Sequence, residues 1–227
     1  DASATGDGGK VVVWADDATQ FYGTISARGG ARGGNGGFVE TSGKGWLDFQ
    51  GAVDTRAPMG LTGSLLLDPD GATIDNTPPN NNTTNSAGLF TATVANTPFH
   101  VQWSTLNTQL GLSNTTVQTT TGDITLAAAG NLSSGNTLTF QSGGNIIQNA
   151  GSTLTRTAAG AVNFNAVGSV TLNDNITLSN SALAFNAGSL SQAAGTINTA
   201  GGLVTVNVAA ASAQAAGAVI AGGGGLT

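Results

Sequence analysis

"VNFNA" at Val162–Ala166 returns as "LAFNA" at Leu183–Ala187 and as "VTVNV" at Val204–Val208, 21 residues later each time. Within each copy, apolar residues alternate with small or polar ones, which is the pattern of a β-strand with one buried face. A fixed period of this length with short strands is typical of a solenoid, in which each repeat buries its apolar face against the next. The stretch therefore predicts stacked coils with the large apolar residues of the three copies in one inward column.

An asparagine column accompanies the apolar one, at Asn165, Asn186 and Asn207. Asparagine tolerates left-handed backbone conformations, and its amide can hydrogen-bond to the same amide in the next coil. These three residues are predicted to form an asparagine ladder at a turn.

The first part of the chain repeats with a longer period. Gly23, Ile25 and Arg28 recur 28 residues later as Gly51, Val53 and Arg56. A run with six glycines occupies residues 29–37 between the copies, and the strand-like "FVE" follows it. A nucleotide-binding glycine loop would open a helix instead. The run is therefore interpreted as a corner between coils, where glycine allows positive φ and close backbone approach.

The chain divides by charge and repeat length into three regions. Residues 1–75 hold five of the six Lys and Arg and ten of the twelve acids, and they carry the 28-residue repeat. Residues 76–88 are predicted to form a Pro/Asn-rich loop or linker. Residues 89–227 are predicted to form Asn/Thr-rich β-helix coils of about 21 residues each.

The predicted fold class is all-β, a right-handed parallel β-helix with coils of roughly 20–28 residues. No helical stripe of apolar residues is evident, and the Ala-rich tail at 209–221 is also assigned to β-structure or fraying. Coils of about 21 residues stacked at strand spacing would give a rod on the order of 50 Å long.

Composition excludes several classes of function. Charged residues make up 8% of the chain and the net charge is −6, so the clustered positive charge of a nucleic-acid binder is missing. No apolar run is long enough to form a membrane-spanning helix. There is no cysteine and one histidine, so no metal site and no cofactor are predicted.

Residues 8–74 resemble the filamentous haemagglutinin-like large exoproteins, adhesins exported by two-partner secretion. The resemblance lies in "VVWAD" (12–16), "FYGTI" (21–25), "ARGG" (27–30), "GGFVETSG" (36–43) and "LLLDP" (65–69). It implies a right-handed parallel β-helix, secretion to the medium or the bacterial cell surface, and an outer-membrane secretion partner for the parent protein. It also implies a role in attachment, aggregation and biofilm formation. The family's amino-terminal secretion domain is not evident, so an internal or distal segment is expected.

Arg28 and Arg56 have the same phase in successive coils, so they are expected to stack. Two stacked cations repel unless an acid lies between them, and Asp54 is the candidate. The three residues are interpreted as a structural ion ladder. Carboxylates and arginines projecting from one face also serve polysaccharide-cleaving β-helix enzymes, so a carbohydrate-binding or catalytic role is the alternative.

The sequence Asp68-Pro69-Asp70-Gly71 has proline and glycine where a type I turn prefers them, and a structural turn is predicted there. Calcium binding by its aspartates is the alternative, although an EF-hand loop would need a Glu that is absent.

Aromatic residues and the single histidine are the remaining candidates. Trp14, Trp46 and Trp103 could stack on sugars, although burial in the core is the commoner fate of tryptophan. His100 lies between apolar residues in "PFHVQW" without a partner motif, and it is interpreted as packed or hydrogen-bonded.

The chain is therefore predicted to be a non-enzymatic structural and adhesive rod segment of a secreted or cell-surface protein. Its expected partner is a host or matrix glycan, a surface protein, or a second copy bound end to end. The alternative is a β-helix protein that binds or cleaves polysaccharide, and the two differ in whether Asp54→Asn abolishes turnover.

Overall fold

A computed structural model describes residues 1–77, 83–86, 89–92, 99–221, 224–225 and 227. Nearly all of this structure is short parallel strands stacked into a β-solenoid, so the predicted fold class is confirmed. The strands of the first half are β1 (Lys10–Ala15), β2 (Ala18–Phe21), β3 (Thr24–Ser26), β4 (Phe38–Gly43), β5 (Trp46–Phe49), β6 (Ala52–Asp54), β7 (Ser64–Pro69), β8 (Ala72–Asp75), β9 (Thr83–Ser86), β10 (Leu89–Ala92) and β11 (Phe99–Gln102).

One helix follows, and the second half is again made of strands. These elements are α1 (Trp103–Leu110), β12 (Asn114–Thr119), β13 (Ile124–Leu126), β14 (Gly130–Leu132), β15 (Leu138–Ser142), β16 (Ile146–Gln148), β17 (Leu154–Arg156), β18 (Val162–Ala166), β19 (Ser169–Leu172), β20 (Ile176–Leu178), β21 (Leu183–Ala187), β22 (Ser189–Gln192), β23 (Thr196–Asn198), β24 (Val204–Val208), β25 (Ala213–Gln214) and β26 (Val219–Ala221).

The coils have three faces. The first is an eight-stranded sheet in the order β1-β4-β7-β12-β15-β18-β21-β24. The second contains the pair β2-β5 and the sheet β11-β8-β13-β16-β19-β22-β25, with β11 in contact with β5. The third contains β3-β6 and the sheet β14-β17-β20-β23-β26. Eight strands at the usual spacing span about 34 Å, less than the sequence estimate. The main reason is that β7 pairs directly with β12, although β9, β10 and α1 lie between them in the chain, and the early coils also use more residues each.

The core is a set of inward columns inside the coils. Phe140, Phe164 and Phe185 stack in register on the first face, with ring centroids 5.4 and 5.3 Å apart. Val206 continues this column, as the 21-residue repeat predicts. Strand pairing also aligns Ile25 with Val53, in agreement with the 28-residue period.

The difference between the two periods arises at one corner, where the third face leads into the first. Eleven residues (27–37) connect β3 to β4, and nine (55–63) connect β6 to β7. Only four (179–182) connect β20 to β21. The glycine run therefore supplies the extra length of the early coils, and the later coils take a shorter path around the same core.

Stacked backbones approach closely at this corner. A Cβ atom on Gly36 would lie 1.7 Å from the carbonyl oxygen of Thr55, and one on Gly37 would lie 2.0 Å from that of Gly9. Gly33 and Gly34 have positive φ angles of 152° and 115°. Both reasons for glycine that the sequence suggested are therefore present, at different positions within the run.

Helix α1 contradicts the expectation of no helix. Trp103, Leu106 and Leu110 lie at helical spacing and are buried, but a helix of eight residues is too short for the periodic pattern to be evident. It contacts both β6 and β14 on the third face. The Gln109 side chain bonds to Val53 like a strand residue: its Nε2 donates to the Val53 carbonyl (2.5 Å) and its Oε1 accepts from the Val53 N–H (3.0 Å).

The region between the two repeats is partly described. Residues 83–86 and 89–92 form an antiparallel pair, β9 with β10, whereas residues 78–82 and 87–88 of the predicted linker lie outside the described part. Across it, Ser64 of β7 pairs with Asn114 of β12, so coils of both repeat types stack in one sheet. The tail, assigned to β-structure or fraying, contains β25 and β26.

Arg156 occupies an inward position on the third face, between Leu132 and Leu178 in register, and is 2% exposed. Its guanidinium donates to the carbonyl oxygens of Ser134, Asn136 and Ala161. Burial lowers the pKa of this group. The arginine thus ties two neighbouring turns together through backbone acceptors.

Candidate functional site

The outward side of the eight-stranded sheet carries a line of residues aligned in register, one from each strand, of which Ser42 is buried. Strand register and a Gln118–Asp68 contact align them across the whole sheet. We call this line the outer row; its members are Trp14, Ser42, Asp68, Gln118, Gln141, Asn165, Asn186 and Asn207.

Amide groups bond to each other along the outer row. Gln141 Nε2 donates to Gln118 Oε1 at 2.9 Å, and Asn186 Nδ2 donates to Asn165 Oδ1 at 2.8 Å. Asn207 lies in register with Asn186. The three predicted asparagines thus share one row, which lies within strands rather than at a turn. Each amide has further donors and acceptors that it can offer to a ligand.

The three tryptophans have different environments. Trp14 is outward on β1 and 53% exposed, whereas Trp46 and Trp103 are 4% and 3% exposed. The prediction of sugar stacking is therefore wrong for Trp46 and Trp103. Trp103 begins α1, donates from Nε1 to the Ala128 carbonyl at 2.8 Å, and covers Gly130, whose Cβ would lie 2.5 Å from its ring.

A cleft of about 400 Å³ lies beside Trp14. We call it the Trp14 cleft; its lining is Trp14, Lys44, Asp68, Pro69, Asp70, Thr120 and Thr121. These residues come from the ends of strands on four neighbouring coils and from the turns that follow them. Lys44, Thr120 and Thr121 were not candidates in the sequence, because only the stacking of coils that are distant in the chain brings them to Trp14.

The electrostatics of the cleft depend on Asp68. Partial burial raises the pKa of this carboxyl group, and the nearby charges of Glu40 and Asp70 raise it further. A hydrogen bond from Gln118 Nε2, at 3.5 Å, acts in the opposite direction. The cleft therefore has an excess of negative charge that Lys44 balances only in part.

The predicted turn at Asp68-Pro69-Asp70-Gly71 is displaced. Asp68 and Pro69 belong to strand β7, and the chain turns at Asp70 and Gly71 before β8. The residue before a proline prefers extended backbone, which keeps Asp68 in the strand. Among the described residues no group of three or more His, Cys, Asp or Glu side chains could hold a metal ion.

The three members of the predicted ion ladder lie together at the start of the glycine corner. Arg56 Nη2 is 2.6 Å from Asp54 Oδ2, and Arg28 Nε is 3.7 Å from the same oxygen. The hydrogen bond from Arg56 is the main cause of the lowered pKa of Asp54. Both arginine side chains are nearly half exposed, so each contact contributes little to stability.

Two further polar contacts lie on the second face. His100 Nδ1 is 3.2 Å from Asp75 Oδ2, so the histidine is hydrogen-bonded, as its sequence context suggested. Tyr22 Oη donates to Oδ2 of the buried Asp48 at 2.5 Å. Burial and this bond raise the pKa of Tyr22 to about 12. No pattern in the sequence pointed to that pair, whose members are 26 residues apart.

The one helix in the described part of the chain is far too short to cross a bilayer. No family model, no curated protein and no solved structure gives a significant match to this chain.

Proposed function

We propose that the chain is a structural and adhesive rod segment of a secreted or cell-surface exoprotein of the filamentous haemagglutinin-like type. Its role would be attachment, aggregation or the formation of biofilm or filaments. The resemblance in residues 8–74 supports the family, and the solenoid fold is compatible with it. Export through an outer-membrane secretion partner belongs to the same proposal.

The outer row carries the adhesive part of this proposal. From Gln118 to Asn207 the outer row repeats amide donors and acceptors at intervals of about 4.8 Å. A periodic or extended partner can then form many weak contacts at once, and such contacts add up to a firm attachment. The described residues bring no nucleophile, base and orienting group together, so a binding surface accounts for the outer row better than a catalytic centre does.

Bead adhesion tests the proposal. Beads coated with the chain should be retained on polysaccharide-coated or protein-coated surfaces, and cells that display it should aggregate or form more biofilm. Substituting Gln118→Glu, Gln141→Glu and Asn186→Asp should lower retention, because stacked carboxylates change the donors into charged acceptors.

A matched set on the third face serves as the control: Asn131→Asp, Thr177→Glu and Asn198→Asp are also outward and exposed. Circular dichroism should show that both variants remain folded. Equal losses of bead retention in the two sets of variants would exclude the outer row as the adhesive surface. Retention of wild-type beads no better than that of albumin-coated beads would exclude the adhesive role.

The Trp14 cleft supports the second candidate function, a protein that binds or cleaves polysaccharide. If the chain cleaves polysaccharide, adding it to a polysaccharide solution should produce new reducing ends, and the Asp68→Asn variant should produce none. Asp54 is a poorer candidate for the reacting carboxylate, because Arg28 and Arg56 already occupy it.

A further inference from the structure

Trp14 presents an aromatic ring to solvent at one end of the outer row. A tryptophan that is 53% exposed leaves a large apolar area in water, and Val12 beside it on the same side of β1 is 50% exposed. Scattered apolar residues are common on protein surfaces, but Trp14 lines a cleft that also contains polar groups. An aromatic platform next to convergent donors and acceptors is the usual composition of a small-ligand site.

The polar lining has both kinds of hydrogen-bonding group. Asp68 and Asp70 offer carboxylate acceptors, Lys44 offers a donor, and Thr120 and Thr121 offer hydroxyl groups that can do either. A sugar ring matches this combination, because its C–H face can lie on an indole ring while its hydroxyl groups bond to the neighbouring polar side chains. The cleft volume of about 400 Å³ is in the range of ligand pockets.

Charge narrows the class of sugar. Two carboxylates line the cleft against one ammonium group, and Glu40 is close enough to raise the pKa of Asp68. A uronate or a sulfated sugar would add negative charge where carboxylates already repel each other. A neutral ring adds none.

We infer that the Trp14 cleft binds a neutral sugar ring of a polysaccharide, stacked on Trp14 and hydrogen-bonded to Asp68, Asp70 and the two threonines. The polysaccharide chain continues from the cleft over Gln118 and Gln141 of the outer row. This inference rests on the proposed adhesive role in taking a glycan as the partner, and it adds the site and the sugar class.

Tryptophan fluorescence of the whole chain provides the test. The two other tryptophans are buried, so a change on adding sugar reports on Trp14. Neutral hexasaccharides of glucose and of N-acetylglucosamine are the probes, with a hexasaccharide of galacturonate for comparison, each titrated to millimolar concentration and checked by calorimetry. At least one neutral probe should bind, with at least 10-fold higher affinity than the uronate and with higher affinity than its own monosaccharide.

Variants separate the site from the general adhesion. Trp14→Ala should lower the affinity for the neutral probe at least 10-fold, and Thr121→Ala should lower it several-fold. Val167→Ala, an exposed apolar residue outside the cleft, should leave it unchanged.

Three results would overturn the inference: no binding of either neutral probe, tighter binding of the uronate, or unchanged affinity in folded Trp14→Ala. None of these results would contradict the adhesive role if chain-coated beads were still retained on protein-coated surfaces. If the beads were not retained on any surface but the chain still bound the neutral sugar, the adhesive role would be wrong and the sugar site would stand.

Discussion

Gly37 and Gly9 occupy the same position in successive coils, but only Gly37 has a coil below it. A Cβ on Gly37 would meet the Gly9 carbonyl at 2.0 Å, whereas a Cβ on Gly9 would have nothing within 4 Å. We expect Gly37→Ala to lower the free energy of unfolding by about 3 kcal/mol, since two backbones would have to separate. Gly9→Ala should change it by no more than about 0.5 kcal/mol. Urea denaturation of both variants measures the difference, and equal effects would contradict the close approach at this corner.

Tyr22 is the only tyrosine, so its ionisation can be followed by ultraviolet absorbance without interference. The phenol should titrate near the pKa of about 12 instead of the usual value of about 10. Because the folded-state pKa is raised, its stabilising contribution is complete below pH 10 and is lost as the pH rises towards 12. Asp48→Asn removes the charged acceptor and should shift the titration part of the way back towards 10, because burial of the phenol remains. A midpoint near 10 in the folded wild-type chain would contradict both the burial of the phenol and its bond to Asp48.

Helix α1 shows how a solenoid can replace a strand with another element. Gln109 presents one donor and one acceptor to Val53, which is what a neighbouring strand would present. Gln109→Leu should lower the free energy of unfolding by about 2 kcal/mol, because the Val53 N–H loses its partner in a buried place. Ser104→Ala, on the exposed side of the same helix, should be nearly neutral. A neutral Gln109→Leu would mean that the side-chain pairing does not hold the helix on β6.

The strands were predictable from the sequence, and the helix and the cleft were not. Strands repeat, so every copy of the Phe164 column adds to the same signal, whereas α1 occurs once and spans two turns. The inward position of Arg156 was equally hard to predict, because the residues in register with it on the neighbouring coils are leucines. The cleft depends on Lys44, Asp70 and Thr121, which are close only after the coils have stacked. Periodicity reveals what recurs along the chain, and a site built from unlike residues of several coils leaves no periodic trace.

Each coil packs mainly against its two neighbouring coils, so a core substitution should destabilise the coils around it more than the distant ones. Phe164 is fully buried between Phe140 and Phe185, and Phe164→Ala should cost about 3–5 kcal/mol. Amide exchange should accelerate in β15, β18 and β21 and remain slow in β4 and β7. Thr177→Ala, outward on the third face, is the control. Uniform acceleration along the chain would indicate one cooperative unit instead.

The lengthened corner makes the early coils broader than the later ones. Eleven residues turn this corner in the first coil and four in a later one, while the strands on the three faces keep nearly the same lengths. A partner that follows the long axis therefore meets a broader contour along the early coils than along the later ones, so the axis has a direction that binding can recognise.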